Sequence, residues 1–150
     1  MLRKPFRPQL EELGSRILPS ANPAISISDV SVVEGDSGQT ALVFTVSLSK
    51  ASRKEVSVNY ATVDVGSATA GSDYVPTAGK LTFAPGQTTK TISVLVNGDM
   101  DIEPDEWFTV NLSNASRATI MDASGIGSIL MDDWPTDYAG WGIVDYSYYA

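Results

Sequence analysis

The chain of 150 residues contains no cysteine and no histidine. Without thiols it has no disulfide framework, no thiolate nucleophile and no ligands for a zinc–thiolate or iron–sulfur centre. Without imidazole it has no Ser-His-Asp triad, no zinc site of the usual kind and no histidine pH switch. No apolar run comes near the roughly 18 residues of a membrane-spanning helix. Positive charge is also scarce, with 10 Lys+Arg against 18 Asp+Glu and a net charge of −8. Set apart from the first twenty residues, the body holds only 6 bases against 16 acids. A body this acidic repels phosphate backbones and anionic lipid, which excludes nucleic acid as a partner. Phosphate-loop, dinucleotide and nucleophile-elbow motifs are all missing. What is left is chemistry by carboxylates and oxygen ligands, in a chain whose 43% hydrophobic and 19% charged residues are those of a globular domain.

Residues 1–23 read as a separate leader, disordered or a short helix. Pro5, Pro8, Pro19 and Pro23 interrupt it, and only Leu10, Leu13, Ile17 and Leu18 give an amphipathic turn or two. Its basic start is not followed by the apolar stretch of a secretory signal. Residues 7–20 nevertheless resemble a short N-terminal motif that opens many large bacterial surface proteins, so the expected location is secreted or at a bacterial cell surface.

From residue 24 the hydrophobic period is two. Leu42, Phe44, Val46 and Leu48 alternate with polar neighbours, and the even-numbered stripe returns as Val56, Val58 and Tyr60, as Ile92, Val94 and Val96, and as Phe108, Val110 and Leu112. Leu81 and Phe83 form a shorter stripe, and Ala24–Val32 and about 118–131 add two extended runs. Seven short strands between Gly, Pro, Asp and Ser clusters predict an all-β, antiparallel sandwich with one dry face on each sheet. Trp107 falls on the outward parity of its strand and is expected to cover a neighbouring side chain.

Five carboxylates, Asp99, Asp101, Glu103, Asp105 and Glu106, fall within eight residues, with no base nearer than Lys90 and Arg117. Such a loop is stable when solvated or when it holds a cation. A hard divalent ion such as Ca²⁺ takes six to eight oxygen ligands and tolerates irregular geometry. An EF-hand is excluded, because Pro104 stands where that loop needs glycine and Val110 where it needs a bidentate glutamate. On this segment alone the metal site and the solvated loop both stand. Glu34, Asp64 and the pair Asp132 and Asp133 also follow odd-numbered strands. In an antiparallel order all these acids gather at one end of the sandwich.

The motifs Glu34-Gly-Asp, Ala68-Thr-Ala-Gly-Ser-Asp-Tyr74, Leu81-Thr-Phe-Ala-Pro-Gly86, Gly98-Asp-Met-Asp-Ile-Glu-Pro-Asp-Glu106 and Gly127-Ser-Ile-Leu-Met-Asp-Asp133 together resemble the Calx-β domain. This module occurs in sodium–calcium exchangers and bacterial surface proteins, and the match covers about residues 24–133. The resemblance implies an immunoglobulin-like sandwich with Ca²⁺ at one end. It implies Glu34, Asp64, Asp99, Asp101, Glu103, Glu106, Asp132 and Asp133 as metal residues, Asp101 acting through its backbone carbonyl. Asp73 is read as a turn cap with Tyr74 packed beneath it. Val65 stands between Asp64 and Gly66 where the family runs Asp-Gly directly, an insertion that displaces Asp64. Gly98 and Met100 interrupt an acidic run that is longer in strong Ca²⁺ binders, so one or two sites are expected.

The implied function is a non-catalytic calcium-binding module for surface adhesion or interdomain contact, with a protein partner or neighbouring domain. Two carboxylates on loops of a small sandwich are a poor glycosidase centre. The alternative is a metal-independent protein- or carbohydrate-binding module that uses the sheet edge or residues 134–150, a tail holding four of the six Tyr and two of the three Trp.

Overall fold

The computed structural model describes residues 22–133. The aromatic tail and nearly all of the expected leader lie outside the described residues. Nine strands follow one another: β1 (Ala24–Ile27), β2 (Val30–Val33), β3 (Gln39–Leu48), β4 (Val56–Val63), β5 (Ala78–Phe83), β6 (Thr89–Asn97), β7 (Glu106–Ser116), β8 (Thr119–Asp122) and β9 (Ser124–Leu130). They form a four-stranded sheet in the order β6-β3-β1-β8 and a five-stranded sheet in the order β2-β9-β7-β4-β5. Among the described residues no helix is long and apolar enough to cross a membrane.

The alternating stripes become the core. Phe44, Val46, Val58, Val94, Val96, Phe108 and Val110 are fully buried between the two sheets. Phe44 meets Phe108 edge-on, with ring centroids 6.2 Å apart. Tyr74 stacks on Phe108 at 4.0 Å, closing the layer from the side of the 64–77 loop. Aromatic pairs in these two geometries add to the area they bury, because ring edges are positive and faces negative.

Two expectations need correction. Among the described residues there are nine strands rather than seven, because the first and last runs each divide and change sheets. At Ser28–Asp29 the chain leaves the four-stranded sheet for the five-stranded one. The Ser28 N–H donates to the Thr45 carbonyl (2.9 Å), and Asp29 Oδ1 accepts from the Ile126 N–H (2.8 Å), so the crossing is satisfied on both sides. The sandwich is also not purely antiparallel: β1 pairs with β8, and β2 with β9, in parallel. Parallel neighbours ordinarily need a crossover connection. Here the paired strands come from opposite ends of the chain, and the whole domain serves as that connection.

Strand direction defines two poles. The start of β3 lies beside the end of β6 through the Gln39–Asn97 pair, and the start of β7 lies beside the ends of β4 and β9. The loops after β2, β4, β6 and β9 therefore emerge together. The opposite pole, about 30 Å away along the ten residues of β3, carries the β3–β4 loop and the β7–β8 turn.

Phe108→Ala is expected to lower stability by about 3–5 kcal/mol, as loss of a buried aromatic does. Ile126→Thr, on the outward face of β9, should change it by less than about 0.5 kcal/mol. Urea denaturation with a shifted midpoint and a constant slope is the measurement that separates them.

Candidate metal centre

Backbone packing at the first pole brings distant acids together. Gly98 ends β6 against the loop after β2; a Cβ there would fall on the Gly35 carbonyl oxygen and 2.9 Å from that of Glu34. Only glycine allows this approach, and it sets Asp99 beside Glu34. Asn97 ties three segments: its N–H donates to the Asp73 carbonyl (2.9 Å), its Nδ2 to the Ser72 carbonyl (2.8 Å), and its Oδ1 accepts from Gln39 Nε2 (2.9 Å). Asp105 Oδ1 accepts from the Met131 N–H (3.0 Å), clipping the long acidic loop to the end of β9, immediately before Asp132 and Asp133. The Asp101 N–H donates to Asp99 Oδ1 (2.8 Å), turning the loop at its start.

Among the described residues the result is three groups whose carboxylate oxygens lie within 4.8 Å of one another: Glu34, Asp99 and Asp133; Asp36, Asp132 and Asp133; and Asp73, Glu103 and Glu106. Six of the eight residues expected from the sequence fall in these groups. Asp101 belongs to none of them, and neither does Asp64, which is exposed just past the end of β4. Asp64 is near enough to raise the Tyr74 phenol, after burial, which is the main cause. Two further acids, Asp36 and Asp73, complete the groups and lie outside the set the resemblance implies. Asp36 stands in the Glu34-Gly-Asp motif, so its signal was present. Asp73 does cap its turn, accepting from the Thr69 N–H (2.6 Å), and it also faces Glu103 and Glu106. Trp107, 41% exposed, packs its indole against the backbone of Gly66, where a Cβ would lie 2.7 Å from the ring.

The electrostatics all run one way. Glu34, 6% exposed, is pushed up to about 7 by burial, with further upward pressure from Asp99, Glu103, Asp132 and Asp133. Glu106 rises to about 7 through burial and through its hydrogen bond and repulsion with Asp73. Glu103 and Asp133 are raised as well, burial first and neighbouring carboxylates second. Among the described residues Asp132 Oδ1 and Asp133 Oδ2 are buried without a hydrogen-bond partner. A buried carboxylate oxygen that lacks a donor is costly unless a cation takes the donor's place. The donor set is all oxygen, which suits a hard divalent ion and not a thiophilic one.

Comparison with known proteins agrees with this architecture. The Calx-beta domain family model matches residues 22–133. Sodium/calcium exchanger 1 of Bos taurus is 42% identical over 80 residues, 49% of this chain and 8% of the exchanger. The chain thus spans under a tenth of that relative's length. Among solved structures, the apo-form Calx CBD1 domain superposes with a TM-score of 0.63 at 27% identity, covering 75% of this chain and 99% of that one. The calcium binding domain CBD12 of CALX1.1 superposes with a TM-score of 0.61 at 27% identity, covering 73% of this chain and 44% of that one. With the family pattern running through nearly every described residue and the strands folded as in its solved members, the chain belongs to the Calx-beta domain family.

Proposed function

We propose that the acidic pole binds Ca²⁺ and that the domain is a non-catalytic, calcium-responsive contact module. The observation that carries this reading is the pair of buried, unpartnered oxygens on Asp132 and Asp133, set against the desolvated carboxylate of Glu34. Glu34, Asp99 and Asp133 would hold one ion. Asp36, Asp132 and Asp133 would hold a second, with Asp133 between them. The Asp73 group is the less available, since Asp73 already accepts from Thr69 and shares a hydrogen bond with Glu106. The solved calcium binding domain CBD12 of CALX1.1 supports the choice of ion.

Bound Ca²⁺ supplies positive charge that joins carboxylates from separate loops. The rest belongs to the chain: the Gly98 contact, the Asn97 bridges and the Asp105 clip hold the loops close enough for one ion to reach several of them. Ordering of those loops would let the pole meet a neighbouring domain or an adhesion partner. Outside a cell, affinities of about 10⁻⁴–10⁻³ M suffice for such a module.

Thermal unfolding in EDTA and across a Ca²⁺ titration tests the reading. Ca²⁺ at a hundred times its dissociation constant should add about 2.7 kcal/mol, a rise of several degrees, with Mg²⁺ markedly weaker. An unchanged midpoint up to about 0.1 M Ca²⁺, a hundred times the weaker of those constants, would end the calcium assignment. Asp133→Asn should abolish most of the Ca²⁺-dependent rise. Glu34→Gln should do the same while raising the metal-free midpoint by a few degrees at neutral pH, because it removes a buried charge.

The raised acids also fix the sign of a pH effect. Glu34 and Glu106 bind protons more tightly folded than unfolded, so their contribution is fully present below the ordinary value of 4.5. It is lost as pH rises through about 7. The metal-free midpoint should therefore fall between those limits at fixed ionic strength. Saturating Ca²⁺ should flatten the profile, with proton release on binding measurable by calorimetry in buffers of different ionisation enthalpy.

A further inference from the structure

The pole opposite the carboxylates is built quite differently. There the β3–β4 loop, the residues entering β1 and the β7–β8 turn line an open cleft of about 490 Å³. Its lining includes Lys50, Arg53, Lys54 and Arg117, and no acidic side chain. These are four of the six basic residues that follow the first twenty positions. Two stretches of chain far apart in sequence deliver them to one place.

The walls are tied by hydrogen bonds. The Ala24 N–H donates to Ser49 Oγ (2.9 Å) and the Ser49 N–H to the Ala24 carbonyl (2.8 Å). The Thr119 N–H donates to the Pro23 carbonyl (3.0 Å), and the Gly86 N–H to that of Ser52 (2.9 Å). Ser52 Oγ accepts from the Lys54 N–H (3.1 Å). Arg117 sits at φ 62°, and its Nη1 donates to the Glu55 carbonyl (3.2 Å), which steadies one guanidinium while leaving other N–H groups for a ligand.

Distance decides what such a cleft can accept. The acidic pole lies about 30 Å away, several times the roughly 8 Å Debye length at physiological salt, so its field is screened at the cleft. A long polyanion would have to run over the acidic body and be repelled. A compact anion held in the cleft meets four cations and no carboxylate among its lining residues. Guanidinium groups present paired N–H donors that match the oxygens of phosphate and sulfate. We propose that this cleft binds a compact multivalent oxyanion, a phosphate or sulfate group that is free or carried on a small saccharide, independently of the metal centre.

The test is an NMR titration of the full ¹⁵N-labelled chain in EDTA, which keeps the outcome separate from that of the calcium reading. Inorganic pyrophosphate and a sulfated disaccharide are added in separate arms, with NaCl at matched ionic strength as control. Saturable shifts of the amides at Lys50–Lys54 and Arg117 are expected, absent with NaCl. Binding of pyrophosphate alone assigns a free anion, binding of the disaccharide alone a carried sulfate, and binding of both the oxyanion group itself. Arg53→Ala with Lys54→Ala should weaken affinity by about tenfold or more, the scale of losing charge-assisted hydrogen bonds. Arg117→Gly should do likewise without harming the fold, since glycine adopts that backbone conformation freely. Absence of saturable shifts up to about 10 mM of either anion, a weak limit for a specific site, would overturn the proposal. So would shifts that survive undiminished in the double variant.

Discussion

Repulsion between like charges is the constraint around which this domain is arranged. Carboxylates from the loops after β2, β6 and β9 sit within a few ångströms of one another, and the four with shifted acidity are all pushed upward. The charges themselves oppose that gathering. It is imposed by the sandwich: the buried Phe44, Phe108 and Tyr74 layer and the valine stripes lock the strand ends in place, each large buried side chain contributing about 1.5–3 kcal/mol. The packed centre therefore holds strain at one end that a divalent ion is suited to relieve.

Much of the fold was legible because its strands keep strict alternation. The stripes in β3, β6 and β7 name their buried residues directly. The division of the first run was less visible, although its parity changes at the break, from Ile25 and Ile27 to Val30 and Val32. The same change in the last run was hidden, because the inward positions 125 and 127 are glycines, while Ile126 points outward and is 41% exposed. Hydropathy carries no signal where the buried residue has no side chain. The parallel pairing of terminal strands is a long-range fact that no local pattern encodes.

The site was legible to the extent that acids after strands of one direction must share a pole. That rule placed Glu34, Asp64, Asp99, Asp101, Glu103, Glu106, Asp132 and Asp133 at one pole, and six of the eight stand in carboxylate groups. It did not tell a residue that faces the centre from one that serves the scaffold. Asp105 looked like another member of the acidic run, yet it binds the Met131 N–H and steers its neighbours. Asp73 looked like a turn cap and is also part of a carboxylate group. Asp64 is exposed and joins none of the carboxylate groups, an outcome the sequence signalled in Val65, which separates it from Gly66.

The parallel pairing of β2 with β9 has a mechanical side. The described chain enters at the basic pole and leaves at the acidic one, and these two strands, near its two ends, lie side by side over four register pairs from Val30–Gly127 to Val33–Leu130. Tension applied between the ends loads that ladder in shear, so its hydrogen bonds resist together instead of opening one by one like a zipper. A module strung between neighbours would carry force along its long axis through this seam, and the loops at the far end of the seam are the ones that hold the carboxylates.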